Sequence, residues 1–137
     1  KIGIAHTRWA THGAVTHANT HPFTSCDGTF AVVHNGIISN YRFLRDGLKG
    51  EGHIFHSETD TEVIPHLLEK YYKKHKNVET ALVKTLNILE GTFAIAVAER
   101  GKLSTRAISP KNSPGFNVSI IFVEPSLCPT TTSTAPI

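Results

Sequence analysis

Apolar positions along this chain recur with two different periods, and the switches between them predict its elements. Ile2–His6 reads as a short strand. Residues 14–28 form a polar loop, with turn chemistry at Asn19-Thr20-His21-Pro22 and again at Cys26-Asp27-Gly28. Thr29–His34 is β-branched and aromatic, a strand by composition, and Asn35-Gly36 breaks it. Tyr41, Leu44 and Leu48 then follow helical spacing up to the glycines at 50 and 52. Ile54 and Phe55 suggest a short strand. Thr59 and Glu62 have the spacing of a capping box, with Asp60 and Thr61 as alternative caps, ahead of a stripe of Val63, Ile64, Leu67, Leu68 and Tyr71. Pro65 is tolerable there because the first turn leaves amide hydrogens without helical partners.

A third helix is expected from Asn77, with Val78, Leu82, Leu86 and Leu89 as its stripe and Gly91 as its stop. Thr92–Ala98 alternates large and small residues like a strand. Arg100-Gly101 turns it toward a partner at about Leu103–Ile108, and Val118–Val123 has the texture of one more strand. The order β, β, α, α, α, β, β with antiparallel hairpins predicts an α+β layered domain and argues against a parallel doubly wound sheet. There is no internal repeat. Beyond Ser109, proline and a Thr/Ser run dominate, so 1–108 reads as the domain and 109–137 as a divergent Pro/Ser/Thr-rich tail, with poor order expected after Glu124.

Composition narrows the class without naming a function. With 137 residues and 39% hydrophobic content the chain can build one core. A formal net charge of +3 gives little attraction to nucleic acid. The basic stretch Lys70–Lys76, interleaved with Tyr71 and Tyr72, reads as a solvated helix face. No apolar run reaches the length of a membrane span. Cys26 and Cys128 have neither metal-type nor redox spacing, which favours free thiols in an intracellular protein, and the start lacks the charged and apolar regions of a signal peptide. The sequence has no methionine and opens directly into a strand, so it reads as an internal segment of a longer polypeptide.

Candidate chemistry concentrates at strand ends. His6-Thr7-Arg8-Trp9-Ala10-Thr11-His12-Gly13 follows the first strand. Arg8 is either a surface ion-pair partner or a planar fork for a carboxylate or phosphate, and Trp9 can form a wall beside it. Asn35-Gly36 is either a plain turn or an oxyanion hole, where a side-chain amide and a backbone N–H meet a developing negative oxygen. Asp60 is either a helix cap or, beside Glu58, a carboxylate for an ammonium group. Histidines 6, 12, 17 and 21 lack the companions of a familiar metal site, so no metal and no cofactor are expected. Taken in their sharper sense, Arg8, Asp60, Asn35 and Gly36 describe a pocket for an α-amino acid whose side-chain amide is attacked, as in glutamine or asparagine hydrolysis. Neither cysteine has an obvious histidine base beside it to serve as nucleophile.

The His6–Gly13 stretch, Asn19-Thr20-His21-Pro22, His34-Asn35-Gly36-Ile37-Ile38-Ser39-Asn40-Tyr41 and Ser57-Glu58-Thr59-Asp60-Thr61-Glu62-Val63 occur in one order. Over roughly residues 2–108 the chain resembles the glutaminase domain of the isomerizing glutamine–fructose-6-phosphate aminotransferase family. That resemblance implies an N-terminal-nucleophile hydrolase type αββα four-layer sandwich with antiparallel sheets, incomplete here. It also implies an enzyme that hydrolyses glutamine and transfers the ammonia to fructose 6-phosphate, giving glucosamine 6-phosphate and glutamate. In that family the nucleophile is an N-terminal cysteine whose α-amino group is the base. By the same matching Arg8 holds the glutamine α-carboxylate and Asp60 its α-ammonium, while Asn35 and Gly36 form the oxyanion hole. Trp9 acts at the gate for ammonia, and Thr11 and His12 line the glutamine pocket.

The nucleophile and the sugar-isomerase domains for fructose 6-phosphate lie outside this sequence, so the isolated chain is expected to be inactive. The full-length protein is expected to be a cytoplasmic homo-oligomer with no nucleic-acid or membrane partner. The alternatives are a non-catalytic glutamine-binding or regulatory module, or the glutaminase domain of another class II amidotransferase such as amidophosphoribosyltransferase.

Overall fold

The computed structural model describes Ile4, His6 and residues 16–101 in full, together with the backbone of 105–108 and 121–123. The described elements are a 3₁₀ turn at His17–Asn19, β1 (Phe23–Thr24), β2 (Phe30–Ile38), α1 (Tyr41–Gly50), α2 (Val63–His75), α3 (Val78–Ile88), β3 (Gly91–Glu99), β4 (Thr105–Ile108) and β5 (Ile121–Val123). The strands form one antiparallel sheet in the order β1-β2-β3-β4-β5. The α+β character and the three helices expected from the sequence are present. Of the expected strand Ile2–His6 only Ile4 and His6 are described, and most of 109–137 lies outside the described residues.

Three local expectations need correction. Asn35-Gly36 does not break β2: the strand runs through both residues to Ile38, and the ladder pairs Phe30 with Glu99 at one end and Ile38 with Gly91 at the other. Neighbouring backbone pairing therefore overrides the turn preference of the dipeptide. Ile54 and Phe55 lie in an irregular segment; Ile54 is exposed, while Phe55 packs against the core. The polar loop at 14–28 contains the 3₁₀ turn and β1, whose Phe23 is buried opposite Val32.

The helix-start motif also works differently from its sequence reading. The cap position of α2 is Glu62, and its side chain makes no capping bond. Glu62 instead reaches back to the incoming loop, where Oε1 accepts from His56 N at 2.8 Å and Oε2 accepts from Ser57 N at 2.8 Å and Ser57 Oγ at 2.6 Å. Thr59 stays within the loop, its hydroxyl 3.0 Å from Ser57 Oγ. Pro65 is accommodated in the first turn, and the helix ends on Lys76 in the left-handed region at φ 55°. The next helix starts as expected: Asn77 Oδ1 accepts from Thr80 N at 2.7 Å.

The core lies between the helices and one face of the sheet. Phe30, Val32 and Ile38 from β2 and Phe93, Ile95 and Val97 from β3 pack with Leu48, Val63, Ile64, Leu67, Leu68, Leu82 and Leu86. The alternate residues Ala31, Val33, Asn35 and Ile37 face the other way, with Thr92, Ala94, Ala96 and Ala98, and are half-buried or exposed. Asn40 ties the start of α1 to the α3–β3 connection by donating to Ile88 O at 2.8 Å and accepting from Glu90 N at 3.1 Å. The basic stretch predicted on α2 carries Lys70, which pairs with Glu51, and Lys73, which pairs with Glu69. Among the described residues no helix is long and apolar enough to cross a membrane.

Candidate active site at the end of β2

The last third of β2 brings several predicted site residues together. Gly36 has φ 120°, and a Cβ there would sit 2.0 Å from Thr92 O. Only glycine lets β3 approach this closely. Its pairing partner is Phe93, one residue from that carbonyl. Gly91 repeats the arrangement from the opposite strand, with φ 121° and a virtual Cβ 2.1 Å from Ile37 O.

Asn35 is exposed on the face turned away from the helices. Its Oδ1 contacts His6 Nε2 at 2.5 Å. A carboxamide oxygen only accepts, so His6 carries its proton on Nε2 and donates. With Oδ1 occupied, the Nδ2 hydrogens of Asn35 are what the side chain can offer a ligand. His6 also stacks against His21 at 4.3 Å between ring centroids, and His21 meets Phe23 edge-on at 5.0 Å.

Asp60 comes to the same strand end from the loop before α2. It is buried, and Oδ2 accepts from Ile38 N at 2.8 Å. Asp60 therefore does not cap α2; it satisfies the last amide of β2. A carboxylate accepts several hydrogen bonds, so this contact does not exhaust it. Its charge also reaches His34, which is buried on the helix-facing side of β2 with Nδ1 2.9 Å from Thr61 Oγ1. Burial pushes the His34 pKa below its ordinary value; Asp60 opposes that shift and His6 adds to it. His34 is consequently neutral near pH 7. Arg8, Trp9, Thr11 and His12 lie outside the described residues.

Sequence reasoning gave His34 no individual role, offered Thr61 only as an alternative helix cap, and counted His6 only among four histidines without a familiar metal spacing. His34 carried a detectable signal, a polar residue at an inward position of an otherwise apolar strand. The loop carboxylate Glu62 is held at a pKa of about 2: burial alone would raise it, but the neighbouring His66 imidazole and bonds from the His56 and Ser57 amides and the Ser57 hydroxyl outweigh burial.

A second cluster lies between the turn that precedes β2 and helix α2, and it revises the expectation that neither cysteine has an obvious histidine beside it. Cys26 Sγ is 3.4 Å from His66 Nδ1 and 3.7 Å from His53 Nδ1, and the two Nδ1 atoms are 3.3 Å apart. The three residues lie on separate elements, which is why their linear spacing gave no warning. Burial and the neighbouring His66 lower the pKa of His53.

Residues 6–109 match the family model described as "Glutamine amidotransferase domain". The chain is 51% identical over 113 residues to the isomerizing glutamine–fructose-6-phosphate aminotransferase of Methanothermobacter thermautotrophicus, covering 82% of this chain and 19% of that protein. It is 57% identical over 97 residues to the enzyme of the same name from Zymomonas mobilis, covering 71% of this chain and 16% of that protein. The chain thus spans about a fifth of the length of the curated relatives it matches. Among solved structures, the glutamine phosphoribosylpyrophosphate amidotransferase of B. subtilis, complexed with ADP and GMP, superimposes with a TM-score of 0.63 at 27% identity, covering 76% of this chain and 22% of that one. A structure described as the allosteric regulatory enzyme of purine biosynthesis gives a TM-score of 0.66 at 28% identity, covering 79% and 23%. The fold is accordingly the N-terminal-nucleophile hydrolase type of α+β architecture. With the family model spanning most of the chain, this protein belongs to the glutamine amidotransferase domain family.

Proposed function

We propose that this chain supplies the glutamine-binding part of an enzyme that releases ammonia from glutamine and passes it to fructose 6-phosphate, giving glucosamine 6-phosphate and glutamate. The observation that carries this reading is the convergence of Asn35, Gly36 and Asp60 on one end of β2. The Asn35 amide and Gly36 N–H are the donors for the oxyanion formed when a thiolate attacks the glutamine amide. That thiolate belongs to an N-terminal cysteine outside this sequence. The C–N bond then breaks, ammonia leaves, and water hydrolyses the thioester to glutamate. Asp60 binds the α-ammonium and Arg8 the α-carboxylate. Thr11 and His12 line the pocket, and Trp9 stands at the ammonia exit.

The sugar acceptor is supported by the relatives: those at 51% and 57% identity are named for fructose 6-phosphate, whereas the phosphoribosyl relative stands at 27%. We further propose a homo-oligomeric, cytoplasmic full-length protein. The test is glutamate release by the full-length protein with fructose 6-phosphate or phosphoribosyl pyrophosphate as acceptor. Fructose 6-phosphate is expected to support amino-sugar formation, and use of the phosphoribosyl acceptor in its place would overturn the assignment. Asn35→Ala is expected to lower kcat about 100–1000-fold, the usual cost of losing one oxyanion donor. Asp60→Asn is expected to raise KM for glutamine. Wild-type kcat in Asn35→Ala would remove the oxyanion role.

A further inference from the structure

The cluster around Cys26 lies outside the glutamine site, and the proposed reaction makes no use of it. Its four members come from three parts of the fold. Cys26 is in the β1–β2 turn and His53 in the segment after α1, while His66 and Glu69 are three residues apart on one face of α2. Their potential ligand atoms all lie within 4.8 Å of one another. His66 and Glu69 are almost fully buried, while Cys26 is exposed and leaves a route in from solvent.

The three shortest separations suit hydrogen bonds and a metal site alike, and the protons each reading requires distinguish the two. Sulfur and nitrogen ligands around tetrahedral zinc, at about 2.3 Å and 2.0–2.1 Å, stand about 3.3–3.6 Å from one another. The separations here are 3.3, 3.4 and 3.7 Å. The two Nδ1 atoms face each other, so a hydrogen-bonded cluster requires a proton on one of them and leaves the triangle unevenly satisfied. One cation accepts a lone pair from all three atoms.

The surroundings match those of a metal thiolate. Ile54 N donates to Cys26 Sγ at 3.5 Å. The outer nitrogen of His66, Nε2, faces Glu62 Oε1 at 3.8 Å, longer than a hydrogen bond, on the side from which a carboxylate orients a metal-bound imidazole. Glu69 is the outermost donor. Its Oε2 accepts from Asp27 N at 3.4 Å and its Oε1 pairs with Lys73, so the carboxylate is already turned toward the Cys26 turn.

We propose that Cys26, His53, His66 and Glu69 form a zinc site that fastens the β1–β2 turn and the segment after α1 onto α2. A thiolate with two imidazoles and a carboxylate is a donor set suited to zinc, and the alkaline-earth ions prefer oxygen alone.

The test uses the full-length protein, purified under reducing conditions and loaded with Zn²⁺ or Co²⁺. Loading with Co²⁺ is expected to give a thiolate-to-cobalt charge-transfer band and intense tetrahedral d–d absorption. Cys26→Ser should lose the charge-transfer band, and Cys128→Ser should keep it. Loading with Zn²⁺ should slow iodoacetamide alkylation of Cys26, read by peptide mapping, by about tenfold or more, because a bound thiolate is a poor nucleophile. The alkylation experiment needs no variant and therefore holds even if Cys26→Ser folds poorly. A cobalt spectrum unchanged by Cys26→Ser, or an alkylation rate indifferent to Zn²⁺, overturns the proposal.

Discussion

Gly36 is demanded by packing at the position where the proposed chemistry also needs a glycine. The short distance from its virtual Cβ to Thr92 O means that β3 alone demands glycine here, whatever ligand is bound. Gly36→Ala is expected to destabilise the fold by about 3 kcal/mol or more, since it combines a left-handed φ with a backbone clash. A denaturation midpoint close to wild type would show that the strand pair yields more readily than this geometry implies. The Asn35-Gly36 dipeptide suggested chemistry, but as structure it was misleading. Its turn preference is a local property, whereas its place within β2 depends on a strand more than fifty positions away in the chain.

His34 belongs to the same scale and makes stability depend on pH. Its ordinary pKa is 6.5, and in the folded protein burial holds it lower. Above pH 6.5 both folded and unfolded chains hold His34 neutral. As pH falls below 6.5 the unfolded chain takes up the proton first, so stability is lost progressively down to the folded pKa. Wild type is therefore expected to lose more thermal stability than His34→Gln between pH 8 and pH 5. Parallel melting curves against pH would rule out a contribution from this residue.

At the level of elements, what could be read from the sequence followed how local each signal was. The α3 start was legible because Asn77 caps it from the adjoining position. The α2 start was legible in place but not in mechanism. Glu62 has the spacing of a capping box, yet its carboxylate is taken by the loop at His56 and Ser57. The short β1 was missed because Phe23 stands alone as an apolar residue in a polar stretch, and only its pairing with Val32 makes a strand of it. The site divides in the same way. Asp60 was recognisable as a carboxylate near a helix start, but its bond to Ile38 N joins two segments that no linear motif connects.

For the molecule as a whole, the two faces of the sheet differ sharply in side-chain size. The helix-facing side carries Phe30, Val32, Ile38, Phe93, Ile95 and Val97. The opposite side is dominated by Ala31, Ala94, Ala96 and Ala98, with Val33 and Ile37 between them. Large residues fill the space under the helices, while the alanines leave a nearly flat surface suited to sheet-on-sheet stacking. Alternation predicted the first face. The second could not be assigned from sequence, because small residues fit a strand of either orientation.

The register of the central ladder also bears on how the chain reaches this structure. Even its innermost pair, Ile38 with Gly91, encloses α1, α2 and α3 in the intervening chain. Closing that loop before the helices have condensed carries a large entropy cost with little contact energy to offset it. Helix association is accordingly expected to precede ladder formation. Leu68→Ala, costing about 2–4 kcal/mol, should appear mainly as slower folding, whereas Val97→Ala should appear mainly as faster unfolding. Stopped-flow kinetics with the reverse pattern would place the ladder first. In the expected order, the strand that carries Asn35 and Gly36 acquires its final partner last, so the proposed glutamine site becomes a late product of folding.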